Sequence, residues 1–171
     1  QAGNRVIRFK LATEVWMDTS TTRLCFDVVN NEAAGAAKPL RPLGAVHAFF
    51  RRLRITMRGV VIEDIQDYNR VHEMFNILQT KGARDNDRAE GFGHNADINQ
   101  LNSVALLPGI PVQQTVCFNP LCGLFMQSKY IPLRYCPIEI ELELADVDQP
   151  IVSGVYSDFT AANTSYNWKL E

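Results

Sequence analysis

The sequence predicts an all-β chain, an antiparallel sandwich with one helix set into it. Three observations carry that class. Short runs of apolar and polar residues alternate with a period of two, the signature of half-buried strands. One stretch, at about residues 66–79, switches to helical spacing. Prolines and glycines punctuate the rest. The 171 residues fit one ordinary domain, long enough to bury a core without staples. With 46% apolar and 21% charged residues, a wholly disordered chain is excluded. A net charge of −2 excludes a strongly basic nucleic-acid protein, though not a local basic patch.

The elements follow in order. In Arg5 to Leu11, residues Ile7, Phe9 and Leu11 share one face, against Val6, Arg8 and Lys10. Asp18-Thr19-Ser20 reads as a turn. Thr22 to Asn30 then places Leu24, Phe26 and Val28 opposite Cys25, Asp27 and Val29. Asn30 to Pro42 has no periodicity and reads as a loop. Phe49 to Arg58 sets Leu53, Ile55 and Met57 against Arg52, Arg54 and Thr56. Gly59 breaks the run, and Val60 to Ile65 returns as the second arm of a hairpin.

Tyr68, Val71, Phe75 and Leu78 then recur on one helical face, with Asp64 and Asp67 expected in the first turn. Lys81-Gly82 marks the exit. The long polar stretch Gly82 to Ile110 reads as a functional or mobile loop. Val112 to Phe118 alternates again, and a short helix is expected near 121–127. Ile138 to Leu144 is the cleanest strand: Ile138, Ile140, Leu142 and Leu144 face in, and Glu139, Glu141 and Glu143 face out. After Pro150 the chain turns small and polar, and Tyr166, Trp168 and Leu170 open a new alternation with no evident partner.

No run of eighteen apolar residues exists, so no helical membrane span is expected. No signal peptide is visible. The opening Gln1 is expected of a fragment or a processed form. Cys25, Cys117, Cys122 and Cys136 form no C-x-x-C pair, and free, mostly buried thiols in a reducing compartment are expected.

Two segments carry a resemblance. Phe118 to Glu143, FNPLCGLFMQSKYIPLRYCPIEIELE, has Phe118, Pro120, Leu121, Phe125, Pro132 and Leu133 ahead of an alternating acidic strand. Phe49 to Asn69, FFRRLRITMRGVVIEDIQDYN, is a strand-glycine-strand-helix unit. Both resemble the first jelly roll of the double jelly-roll major capsid proteins of polinton-like and nucleocytoplasmic large DNA viruses. Residues 166–171 are similar to the opening of that family's second jelly roll.

The resemblance implies an eight-stranded antiparallel jelly roll over residues 1–146, a linker at 147–165, and a truncated second jelly roll from 166. It implies a structural protein of the virion capsid, not an enzyme, made in the host cytoplasm or nucleus and not secreted by a signal peptide. Its partners would be two further copies in a homotrimer, neighbouring capsomers and minor capsid proteins. No cofactor is implied. The departure from the family is length, since only one jelly roll fits in 171 residues. A non-viral jelly-roll binding module, lectin-like or cytokine-like, is the competing reading, and a metal-dependent cupin-like enzyme a third.

By the jelly-roll order, the strand of Ile138 to Leu144 lies between those of Arg5 to Leu11 and Phe49 to Arg58. Glu139, Glu141 and Glu143 would then sit between Arg8 and Lys10 on one side and Arg52 and Arg54 on the other, a cross-strand charge ladder. A weak genome contact through Arg51, Arg52, Arg54 and Arg58, with Arg41 nearby, is the competing reading. His47, His72 and His94 are too widely spaced for a metal site. Glu63, Asp64 and Asp67 lack an accompanying nucleophile or base. Cys117 and Cys122 lack a neighbouring base and read as inert. No G-K-S or G-K-T follows Gly91 and Gly93. Phe49, Phe50, Phe75, Phe118 and Phe125 read as core. The loops are expected to supply the subunit interfaces, with Arg84, Asp85, Asp87, Arg88 and Phe92 as contact residues.

Overall fold

A computed structural model describes residues 5–31, 40, 42, 44–80, 82–83, 90, 113–146, 150 and 168–171. Among these, nine strands and one α-helix follow the order β1 (Val6–Leu11), β2 (Trp16–Asp18), β3 (Leu24–Asn30), β4 (Phe50–Met57), β5 (Val60–Gln66), α1 (Tyr68–Leu78), β6 (Gln113–Phe118), β7 (Tyr130–Pro132), β8 (Ile138–Leu144) and β9 (Trp168–Leu170). All pairings are antiparallel. The all-β sandwich class holds.

The strands form a four-stranded sheet β1-β8-β4-β5, a three-stranded sheet β6-β3-β9 and a two-stranded ribbon β2-β7. β8 lies between β1 and β4, pairing Arg8 with Glu141 on one side and Leu53 with Leu142 on the other. Its alternation makes Ile138, Ile140 and Leu142 buried. Leu53 and Ile55 of β4 join them on the inner face. Leu24, Val28, Val116 and Phe118 supply the opposing layer.

Aromatic rings join the layers. Phe50 of the four-stranded sheet meets Phe26 edge-on at 5.4 Å and stacks on Phe118 at 5.9 Å. Such ring pairs add to the burial of their area.

β4 and β5 form the expected hairpin. Arg58 and Gly59 both have positive φ, 51° and 80°. This matches the twist of the strands as primed turns do, and glycine accepts it without strain. A bulge follows, where the register slips between Ile55 and Thr56. Across it Ile55 pairs with Glu63 and Thr56 with Val61, so Ile62 is the extra residue. Val60, Val61 and Ile62 are all exposed along this edge strand.

Several expectations are corrected. The segment expected as a helix near 121–127 is a hydrogen-bonded turn, with the Phe125 and Met126 amides both donating to the Cys122 carbonyl. Glu63 reaches across from β5 and accepts from the Gly123 and Leu124 amides at 2.9 and 3.3 Å. A carboxylate from β5 thus accepts from amides at the start of the turn, as an N-terminal cap does.

Asp64 is not in the first turn of α1. It lies on β5, opposite Arg54. Asp67 precedes the helix in the left-handed region (φ 50°) and makes no side-chain cap. The helix also buries a different face. Tyr68, Asn69 and Asn76 are buried, while Phe75 and Leu78, expected inside with Tyr68 and Val71, are exposed. Phe75 therefore leaves the expected core group, whereas Phe49, Phe50, Phe118 and Phe125 are in it.

One bond fixes the helix start. The Leu121 amide donates to the Tyr68 hydroxyl at 2.8 Å, and Tyr68 is fully buried. Tyr68→Phe removes the acceptor and keeps the ring. It is expected to cost about 1–3 kcal/mol, read as a lower urea midpoint at unchanged slope.

The terminal alternation has a partner after all. β9 pairs with β3, matching Val28 to Leu170 and Asn30 to Trp168, and Glu171 exchanges backbone hydrogen bonds with Asp27. Trp168 is buried against Phe49, with ring centroids 4.9 Å apart. The linker 147–165, apart from Pro150, lies outside the described residues.

Candidate interaction surface

The outer face of the four-stranded sheet carries the charges singled out in the sequence. Arg8 donates to Glu141 at 2.8 Å. Lys10 stands opposite Glu139, and Arg54 opposite Glu141. Arg52 stands opposite Glu143, but its guanidinium binds elsewhere. It donates twice to the Asp64 carboxylate, at 2.7 and 2.6 Å. This fork holds Asp64 below the usual carboxylate range and raises Arg52. Glu143 is approached instead by Arg51, at 3.8 Å. Arg5 pairs with Asp146 beyond the strand ends.

Arg8, Lys10, Arg52 and Arg54 thus share a face with Glu139, Glu141, Glu143 and Asp64. Interleaved carboxylates leave little net positive field for phosphates. The sequence missed Asp64, because it assigned that residue to the helix. Arg84, Asp85, Asp87, Arg88 and Phe92 lie outside the described residues, as does His94.

A different surface has the chemistry of an interface. In the β2-β7 ribbon, Trp16 pairs with Pro132 and Asp18 with Tyr130. By alternation these four share the outer face, while Met17 and Ile131 pack on the core. Trp16 is 67% exposed and Tyr130 is 64% exposed. Val15 and Tyr135 are exposed beside the ribbon in sequence, and the Arg134 guanidinium lies 5.8 Å from the Tyr135 ring centre. Aromatic residues and arginine are enriched at protein interfaces and dominate their energetics. Strands of three residues are too short to show a period, so the sequence carries no signal for this ribbon.

The second apolar surface is the outer face of α1, where Met74, Phe75, Ile77 and Leu78 are all exposed. A cleft of about 210 Å³, lined by Lys10, Thr56, Arg58, Gly59 and Glu139 among others, lies at the hairpin end. It is smaller than the roughly 300–1,000 Å³ of small-molecule sites.

A buried polar group lies between α1 and the 3₁₀ turn Val46–Phe49. His47 is fully buried, and its Nε2 meets the Glu73 carboxylate at 3.0 Å. Gly44, at φ 89°, leaves the space that this carboxylate occupies. The His72 ring stacks on His47 at 4.0 Å and 14°. Burial and the neighbouring His47 push His72 down to about 3. Parallel stacked rings do not converge on a shared point as metal ligands must. Among the described residues, no group of three metal-ligating side chains exists.

The thiols are not mostly buried as expected: Cys122 is buried, Cys117 and Cys136 are half-buried, and Cys25 is exposed. Desolvation pushes the Cys122 thiol up to about 12. Cys25 and Cys117 face each other across β3 and β6, Sγ to Sγ at 2.6 Å.

No protein-family model matches the sequence, and no curated protein matches it. Among the described residues, no helix is long and apolar enough to cross a membrane.

Proposed function

We propose that this chain is a structural subunit, the first jelly roll of a double jelly-roll major capsid protein that trimerises into pseudo-hexagonal capsomers of an icosahedral shell. The observation that carries this reading is the sheet order β1-β8-β4-β5. A strand from late in the chain lies between the first strand and the strand of Phe50–Met57, the placement that the jelly-roll resemblance requires. The exposed Trp16, Tyr130, Met74, Phe75, Ile77 and Leu78 supply apolar surface for self-association. On this reading the protein resides in the virion capsid, contacts neighbouring capsomers and minor capsid proteins, and performs no catalysis.

The test is light-scattering mass and negative-stain imaging of the protein expressed from its whole reading frame. The expected result is a trimer with a hexagonal outline. Trp16→Ser combined with Tyr130→Ser is expected to weaken association at least about tenfold, the effect of losing one or two interface anchors, with an unchanged circular dichroism spectrum. A monomer at every concentration overturns the capsid reading.

The exposed Trp16 and Tyr130 also favour a second reading, a jelly-roll binding module that stacks a ligand on an aromatic platform. A monomer whose tryptophan fluorescence shifts with added oligosaccharide would support that one.

A further inference from the structure

We propose that Cys25 and Cys117 form a redox-sensitive clamp, a site at which the chain is oxidised to a cross-strand disulfide. This goes beyond the capsid reading and does not depend on it.

The register sets Cys25 directly opposite Cys117 in the β3·β6 pair. Directly opposed residues of antiparallel strands have Cα atoms about 4.5–5.5 Å apart, inside the ~4.4–6.8 Å span a disulfide bridges. The two thiols already point at one another. Their flanking residues explain why. Leu24, Val28, Val116 and Phe118 are buried, and Phe26 packs against that core, so alternation turns the intervening cysteines to the outer face. Cys25 is exposed there, within reach of a soluble oxidant. The chain's other cysteines are differently placed. Cys122 is buried under the turn that Glu63 anchors, and Cys136 packs against the core.

The oxidant is a small-molecule disulfide such as oxidised glutathione. The Cys25 thiolate attacks one glutathione sulfur, the glutathione S–S bond breaks, and one glutathione leaves as thiolate. The Cys117 thiolate then attacks the Cys25 sulfur of the mixed disulfide, and the second glutathione leaves. Two protein thiols are oxidised and one glutathione disulfide is reduced to two thiols, which take up the protons that the cysteines lost. The product ties strands 92 positions apart in the chain. It also fixes β6, an edge of the described sheet, to β3. A chain moving from a reducing to an oxidising compartment would acquire this clamp without a change of fold.

The test incubates the purified protein with oxidised glutathione, quenches it in acid and counts thiols after denaturation. The expected result is a fall from four titratable thiols to two, with a peptide joining the Cys25 and Cys117 segments. The thermal midpoint is expected to rise by roughly 5 °C or more and to return on adding dithiothreitol. Cys117→Ser should stop the reaction at a single glutathione adduct on Cys25. Four surviving thiols, a stable adduct on Cys25 with Cys117 intact, a link through Cys122 or Cys136, or an unchanged midpoint would each overturn the proposal.

Discussion

Phe118→Ala is expected to destabilise the protein by about 3–5 kcal/mol, the usual cost of deleting a buried aromatic ring. Phe118 ends β6 fully buried. It stacks on Phe50 at 5.9 Å and meets Phe26 edge-on at 6.3 Å and His72 at 6.4 Å. Those contacts come from β4, β3 and α1, so one ring joins both sheets and the helix. Its loss opens a cavity that three elements border, and none can collapse into it without moving away from its own partners. Urea denaturation checks this. Phe118→Leu keeps most of the volume and is expected to lose less than half as much. Equal losses for the two variants would show that volume is not what the site requires.

Acid is expected to destabilise the protein through His72. Its native imidazole is held down to about 3 by burial and by His47. In the unfolded chain it titrates near 6.5, at about its ordinary value. Between these values the unfolded chain binds a proton that the native protein does not. Stability from this group is therefore complete above about pH 6.5 and falls as pH drops toward 3, by at most about 1.4 kcal/mol per pH unit. The groups around it are the stacked His47, the Glu73 carboxylate on His47, and the edges of Tyr68 and Phe118. None offers a carboxylate directly to His72, whose Nδ1 has no hydrogen-bond partner.

His72→Phe keeps a flat ring in the stack and removes the titration. Urea midpoints at about pH 7 and pH 4.5 are expected to fall much further for the parent than for the variant. Asp64 and Asp146, lowered by their arginines, also lose their pairs in acid, but equally in both proteins. Parallel falls would show that His72 does not control the acid response.

How far the sequence could be read depended on where each element lies. β8 and β4 were legible because both are central strands with one face on the core, so alternation and burial coincide. β1 is an edge, and its Phe9 is 42% exposed although it shares a face with Ile7 and Leu11. Helical spacing places the start of α1 within two residues, yet it puts the wrong face inside. Helical spacing reports that Val71, Phe75 and Leu78 share a side, not what covers that side. Tyr68 bound to Leu121, and His72 stacked on His47, turn the helix the other way.

Local composition and period determined the fold class, most strand positions, the hairpin at Gly59 and the inward and outward faces of β8, because each depends on residues close together in the chain. The tertiary structure decided the rest. It gave Arg52 to Asp64, brought Cys25 to Cys117, stacked His47 on His72, drew Trp168 into the core beside β3, and exposed Trp16 with Tyr130. These are meetings of residues far apart in sequence, or choices of which face is covered. Periodicity holds no record of either, because the same alternation is compatible with many partners.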